Sequence, residues 1–198
     1  VLRLPNAASG EALRLPRVSA TLSARSLLGW QLRFEQLHVD GAALEVRRDG
    51  AGRIFVAGIE VRTAASGDDG DSAGTDWLLA QREIAVRNGR LRWIDEQRAA
   101  PPLELSSVDL VLRNGLARHE WRLDATPPTP VGKRFTLQGE FRQPLLAQRS
   151  DWRRWSGTAY AELPHADAAA LRPWLPALAV DVPEGEGALR AWVEVAEG

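Results

Sequence analysis

The sequence contains no cysteine, no methionine and a single lysine, Lys133. Without cysteine the chain cannot form disulfide bonds or Cys-based metal and redox sites. No apolar run approaches the roughly 18–20 residues that a membrane-spanning helix requires. Because position 1 is not methionine, we expect a processed chain or a piece cut from a longer protein.

Neither sign of charge predominates, since the formal net charge is −1. A chain without a positive field is not drawn to phosphate backbones, so no nucleic-acid partner is expected. The composition, 44% hydrophobic and 26% charged, is typical of a folded protein rather than a disordered one. Its 198 residues suffice for one large domain or two small ones.

No set of residues suited to catalysis stands out. His38, His119 and His165 are far apart in the sequence, and motifs for a serine nucleophile, a phosphate loop or a zinc protease are missing. The acidic run starting near Asp69 reaches Ala80 at the twelfth position, where a calcium loop needs glutamate. The sequence therefore predicts no catalytic residues, no metal site and no cofactor.

Strict alternation of apolar and polar residues is the dominant pattern. It is seen in residues 90–93 (RLRW), 119–124 (HEWRLD) and 134–142 (RFTLQGEFR). Such alternation indicates antiparallel strands with one apolar face and one solvent-exposed face. The apolar parity shifts near Gln36 and near Ser106-Ser107, which predicts a β-bulge at each place and a curved sheet.

Paired turn residues separate the alternating runs. Asp40-Gly41, Asp49-Gly50, Asn88-Gly89 and Asn114-Gly115 tolerate positive φ angles and predict tight hairpin turns. A weak internal repeat relates the segment around Val39-Asp40-Gly41 to the one around Val86-Arg87-Asn88-Gly89. A plain meander of hairpins gives a similar pattern, so both explanations stay open.

Two short helices are expected between strands. One lies near residues 75–81, capped by Thr75 or Asp76, and the other lies near 167–175, capped by Asp167. The domain division that follows is a first β-hairpin unit at 1–63, an acidic Gly-rich loop at 64–74 and a second β unit at 75–198.

One long stretch resembles a known family. Within residues 76–128, the features Trp77-Leu78-Leu79, the hairpin ending at Asp95-Glu96, and Pro101-Pro102-Leu103 are similar to the AsmA-like envelope proteins, in the branch named after YhdP. Residues 20–59 resemble the segment that follows the membrane anchor in this family. The resemblance covers nearly all of the chain and depends on the order and spacing of these motifs.

The resemblance implies a bent antiparallel sheet with an apolar groove on its concave face. Family members are associated with phospholipid transport toward the outer membrane of Gram-negative bacteria and with its permeability barrier. It implies a periplasmic location, with an inner-membrane tether through an N-terminal helix absent from this chain. The expected partners are phospholipid and the adjacent β repeats of the parent chain.

We therefore expect a mainly β fold, a curved antiparallel sheet of repeated hairpins that forms a β-groove, with two short helices. The expected function is non-catalytic shielding of phospholipid acyl chains during transport between the two membranes. The apolar parity of the strands gives the expected groove lining: Leu32, Phe34, Leu44, Val46, Ile54, Val56, Ile84, Val86, Leu91, Trp93, Leu110, Leu112, Trp121, Leu123, Phe135 and Leu137.

Alternation alone does not separate a lipid groove from a sheet that fills its own core. A structural or protein-interaction module with a filled core is therefore one alternative. A carbohydrate-binding β-sandwich is another, and it requires exposed, coplanar tryptophans on the polar face. An enzyme is disfavoured because no acid, base, nucleophile or metal ligands come together in the sequence.

Overall fold

The chain folds into one large open β-sheet with two short helices, in a computed structural model that describes residues 2–6, 10–22, 34–61, 73–144, 154–174 and 185–196. The mainly β prediction is confirmed. The strands are β1 (Leu2–Asn6), β2 (Gly10–Leu15), β3 (Arg17–Leu22), β4 (Phe34–Asp40), β5 (Ala43–Arg48), β6 (Ile54–Val56), β7 (Ile59–Val61), β8 (Glu83–Asp95), β9 (Ala100–Asn114), β10 (Arg118–Thr126), β11 (Phe135–Arg142), β12 (Ser156–Asp167) and β13 (Glu186–Val195), and the helices are α1 (Ala73–Ala80) and α2 (Ala168–Leu171).

Most neighbouring strands are antiparallel. The order along the sheet is β1-β2-β5-β8-β9-β10-β11-β12-β13. Off this path, β4 pairs with β3 and with the first half of β8, β6 pairs with β5, and β7 pairs with β6. The run from β8 to β13 is a simple meander in which consecutive strands pair. This meander is the arrangement that alternation and short turns favour.

Two pairings are parallel, which the alternation did not predict. Both β4 and β5 run parallel to β8 and lie end to end along one edge of it. Asp40-Gly41 therefore joins two strands at the same edge, and the prediction of a hairpin turn there was wrong. The register against β8 is unbroken across Gly41, since Asp40 pairs with Arg87 and Ala43 with Arg90. Gly41 has a φ of +71°, and its N–H donates to the Arg87 oxygen at 2.8 Å.

The Asn88-Gly89 pair is also not a hairpin turn, because it lies inside β8. Asn88 has a φ of +51° and forms a bulge. Its backbone N–H donates to Asp109 Oδ1 at 3.0 Å, and its side-chain amide donates to Asp40 Oδ1 at 3.1 Å. These carboxylates hold the left-handed conformation in mid-strand. The pairs at Asp49-Gly50 and Asn114-Gly115, in contrast, do connect antiparallel neighbours.

The weak sequence repeat corresponds to strands that lie side by side. Val39 pairs with Val86, Leu44 with Leu91 and Val46 with Trp93, in parallel register. The last pair of this ladder, Arg48 and Asp95, is 47 residues apart in sequence. The two similar segments therefore stack as neighbours and present the same residues to the same face.

Both predicted bulges are confirmed. Leu22 pairs with Phe34 and Thr21 with Gln36, so one residue of β4 has no opposite partner. Ser107 has a φ of +47°, and the register of β9 shifts there against both of its neighbours. Each extra residue keeps the apolar side chains before and after it on one face of the sheet.

The helices differ in length from the expectation. Helix α1 begins at Ala73, two residues before Thr75. Helix α2 has the expected cap, since Asp167 Oδ1 accepts hydrogen bonds from the N–H groups of Ala169 (2.9 Å) and Ala170 (3.1 Å). It stops at Leu171 because Pro173 lacks an N–H and disfavours helix in the residue before it.

The expected acidic loop at 64–74 lies mostly outside the described residues. Strands from both sides of it share one sheet, since β4 and β5 pair with β8. The division into two units stays a prediction.

Candidate functional site: the apolar face of the sheet

Cross-strand pairing arranges apolar side chains in continuous rows on one face. One row runs through Ile84, Leu112 and Trp121. The next row runs through Val86, Leu110, Leu123 and Leu137, all of which are apolar. The sequence alternation thus becomes a two-dimensional apolar surface, which we call the apolar face.

Glycines let the large rings lie flat on this face. A Cβ atom on Gly139 would lie 2.6 Å from Trp121 Nε1, and one on Gly157 would lie 2.8 Å from the Phe141 side chain. Trp121 pairs directly with Gly139, so its indole covers the bare backbone of the next strand. The rings widen the apolar face, and the Trp121 Nε1 is the polar atom that they bring to it.

The predicted lining residues can be compared with this face. Leu32 lies outside the described residues. Ile84 is buried, and the others are partly exposed. Whether any of them contacts lipid stays a prediction. The partly exposed members are Phe34, Leu44, Val46, Ile54, Val56, Val86, Leu91, Trp93, Leu110, Leu112, Trp121, Leu123, Phe135 and Leu137.

Part of the apolar face is packed tightly. Leu105, Val108 and Ala125 are buried, and Ala125 is completely inaccessible. Leu91 and Phe135 are among the partly buried residues packed against them. Parity gave the face of these residues but not their burial, so the three buried members were missed as a core.

A buried polar cluster closes one end of the face. The Asn114 side-chain amide donates to the backbone oxygen of Gln81 at 2.9 Å. The Asn114 side-chain oxygen therefore faces His119 Nδ1, at 2.8 Å. The nitrogen Nδ1 therefore carries the hydrogen. His119, only 2% exposed, also contacts Gln143 Oε1 at 3.2 Å and stacks on Trp155 with ring centroids 4.2 Å apart.

Sequence analysis noted His119 only as one of three separated histidines, and the structure places both of its ring nitrogens against side-chain oxygens. Sequence analysis missed the cluster as a unit, because its members come from the residue after α1, from β9 and β10, and from the segments after β11 and before β12. Gln81 also connects this end to β4, since its side-chain Oε1 accepts a hydrogen bond from the Phe34 backbone N–H at 2.7 Å.

An ion pair and a turn close the opposite end. Arg48 Nε donates to Asp95 Oδ1 at 2.9 Å, and a second guanidinium nitrogen contacts Asp95 Oδ2. The Asp95 side chain is 3% exposed. The segment after α2 also reaches the start of β9, where Trp174 Nε1 donates to the Pro101 oxygen at 2.8 Å.

The Arg48 hydrogen bond lowers the pKa of Asp95 below its ordinary value of 3.8, against the effect of burial. A lowered pKa means that this carboxylate stabilises the fold above its ordinary pKa and that the contribution is lost as pH falls through the folded value. We expect Asp95→Asn to lower the free energy of unfolding at pH 7 by about 2 kcal/mol and to flatten its decline in acid. Urea unfolding measured across pH tests this.

Glu104→Gln is the matched control, because the Glu104 side chain is 73% exposed and lies 3.8 Å from its guanidinium partner. A control variant that loses as much stability as Asp95→Asn, or an Asp95→Asn variant with the native acid profile, contradicts the assignment.

The opposite face is charged and paired. Arg118 Nη2 lies 2.8 Å from Glu140, and Arg190 Nη2 lies 2.9 Å from Glu162. A shallow depression of about 500 Å³ on this face includes Tyr160 and Trp192, and Trp192 is 70% exposed. The two rings are tilted by 48° to one another and so do not form the coplanar platform that the carbohydrate alternative requires.

Among the described residues there is no group of three or more His, Asp and Glu side chains placed to hold a metal ion. None of the helices in this part of the chain is both long and apolar enough to cross a bilayer. The arrangement that stands out in the described residues is a broad apolar surface with hydrogen-bonded polar groups at both ends.

Comparison with known proteins gives one match. A family model described as "YhdP protein" matches residues 2–198 of the chain. No curated protein matches, and no solved structure matches.

Proposed function

The chain belongs to the YhdP protein family, and from this premise we propose that its sheet shields phospholipid acyl chains without catalysing a reaction. Family membership suggests an envelope role connected with lipid transport. The observation that carries the proposal is the apolar face, whose rows of Leu, Val, Ile, Phe and Trp side chains are mostly partly exposed.

The energy of acyl-chain transfer supports a non-catalytic role. Exposing a phospholipid to water costs roughly 0.8 kcal/mol per CH₂ group. An apolar face recovers much of this cost by contact alone, and no acid, base or metal is needed. A surface without charged side chains at its centre also accepts acyl chains of different length and saturation.

The dimensions of the face suit this ligand. Strand β9 has 15 residues, which corresponds to about 50 Å at roughly 3.3 Å per residue. One leaflet of a bilayer has a hydrocarbon thickness of about 15 Å. The acyl chains of a phospholipid therefore fit within the extent of the sheet along its strands.

The polar ends fit the same role. At one end Arg48 hydrogen-bonds Asp95, and at the other Asn114 links Gln81 to His119. Trp155 Nε1 in that cluster is buried without a hydrogen-bond partner among the described residues. Acyl chains placed between the two ends meet no unpaired buried charge. The lipid headgroup would stay at the solvent margin of the face.

The proposal extends to location and partners through the family resemblance. We place the chain in the periplasm, tethered to the inner membrane by a helix outside this sequence. Adjacent β repeats of the parent chain would continue the lipid path from inner to outer membrane. A chain of modest length would then serve as one section of a longer route.

Uptake of a phospholipid carrying a fluorescent acyl chain tests the proposal. The purified 198-residue chain should increase and blue-shift the emission of the probe, with saturation at a defined stoichiometry, and unlabelled phospholipid should compete. A well-folded chain that leaves the probe emission unchanged contradicts the proposal.

A second candidate function is a structural module with its own core. The tight packing of Leu105, Val108 and Ala125 favours it, because these residues already cover part of the apolar face. This alternative would be supported if the chain binds no phospholipid and if the backbone amides of the strands that form the apolar face are all protected from hydrogen exchange.

A further inference from the structure

Three exposed apolar side chains form a projecting surface at the His119 end of the sheet. They are Trp77 (42% exposed) and Leu78 (41%) at the end of α1, and Leu116 (92%) in the turn between β9 and β10. We call these three residues the apolar tip. We propose that the apolar tip docks on the surface of a lipid bilayer, which rests on the proposed lipid-handling function.

The two parts of the tip are fastened to one another. Asn114, two residues before Leu116, donates its amide to the oxygens of Gln81 (2.9 Å) and Leu78 (3.4 Å). The Gln81 amide in turn contacts the Trp77 oxygen at 2.5 Å. The exposed leucine of the turn and the exposed residues of the helix therefore project from one rigid end rather than from independent loops.

Guanidinium groups surround the tip and lie further out than their acidic partners. The Arg82 side chain is 76% exposed against 40% for Glu35, and Arg113 is 62% exposed against 22% for Glu83. Arg118, beside Leu116 in the chain, is 55% exposed. Arg118 pairs with Glu120 (40% exposed) and Glu140 (42%), so these three arginines face four glutamates. The guanidinium groups are the more exposed ends of these pairs and are placed to donate hydrogen bonds to the phosphates of a bilayer.

The size of the tip favours a bilayer over a protein partner. A stable protein interface covers about 800 Å² on each side with roughly 20–30 residues, whereas the described part of the tip presents three apolar side chains. A bilayer stabilises each inserted side chain separately, and tryptophan and arginine are favoured at the level of its headgroups. Docking there would bring the end of the apolar face to the lipid source.

Flotation with vesicles of phosphatidylethanolamine and phosphatidylglycerol tests the docking. The 198-residue chain should float with the vesicles. Serine at Leu78 and Leu116 together should weaken partitioning at least tenfold, since burial of one leucine is worth roughly a factor of ten or more. Leu189→Ser on β13 is the matched control, because Leu189 is 53% exposed outside the tip, and it should float like the native chain.

Uptake of a short-chain phospholipid, supplied as dissolved monomers, separates this proposal from the proposed function. The Leu78→Ser, Leu116→Ser double variant should keep native uptake and native circular dichroism. If the native chain takes up monomers but does not float, or if the double variant floats normally, bilayer docking by the tip is overturned and a protein partner becomes the explanation of these side chains. If the chain floats but takes up no monomers, the proposed function fails and the tip assignment stands.

Discussion

Replacement of Leu112 by glutamate should lower phospholipid binding at least tenfold. Leu112 lies on the apolar face between its cross-strand partners Ile84 and Trp121. A carboxylate there would lose its water when an acyl chain covers it, and an unpaired buried charge costs several kcal/mol. Titration of the variant with the fluorescent phospholipid measures the loss.

Val111→Glu is a closely matched control for this change. Val111 is the preceding residue of the same strand, is also partly exposed and pairs with Ala85 and Arg122 on the polar face. A glutamate there lies beside a guanidinium and in water, so binding should stay within about twofold of native. Urea unfolding of both variants shows whether the sheet is intact.

Two results would contradict the account of the face. Equal binding by Leu112→Glu and the native chain would show that lipid does not cover this row. Equal loss in both glutamate variants would assign the effect to the strand as a whole rather than to one of its faces.

His119→Ala should lower the free energy of unfolding by about 3 kcal/mol. The change leaves a cavity where the imidazole stacks on Trp155 and leaves the Asn114 oxygen without its donor. A cavity of this kind and an unsatisfied buried acceptor each cost roughly 1–3 kcal/mol. The urea midpoint of the variant, compared with the native chain, gives the value.

His38→Ala provides the comparison, since the His38 side chain is 51% exposed and meets Glu83 at 3.3 Å. It should change stability by less than about 0.5 kcal/mol. Equal effects of the two histidine changes would show that the cluster around His119 does not hold the end of the sheet.

Alternation predicted the faces of the strands well because side-chain direction in a strand depends on local geometry alone. Leu91, Trp93, Leu110 and Leu123 follow from period two, with one added residue at each bulge. Even the position of the bulge at Ser107 could be read from the change of parity before Val108.

Strand partners could not be predicted in the same way. Asp40-Gly41 has the residues of a hairpin turn, but the strand after it continues along the same edge of β8. Turn residues specify a local φ angle. The same angle occurs in a hairpin turn, in a junction between two strands on one edge such as Gly41, and in a bulge such as Asn88. The repeat was the better guide, since its two copies lie side by side.

The polar ends of the face depend on residues brought together by tertiary structure. Asn114 and Gln81 are 33 residues apart, and Arg48 and Asp95 are 47 apart. Strand alternation links neither pair. The internal repeat places Arg48 beside Asp95, but sequence reasoning used Asp95 only as a turn residue. The apolar tip was missed for the same reason, because the segments of Leu116 and Leu78 are brought together by pairing of β8 with β9 and by the Asn114 hydrogen bonds.

Native mass spectrometry of the purified chain, followed by extraction of whatever it carries, tests the central claim most directly. The account predicts a complex with one or a few phospholipids of mixed acyl composition when the chain comes from a bacterial host, and loss of that mass in Leu112→Glu but not in Val111→Glu. A folded chain that is free of lipid and stays free after mixing with phospholipid would contradict lipid shielding by this sheet.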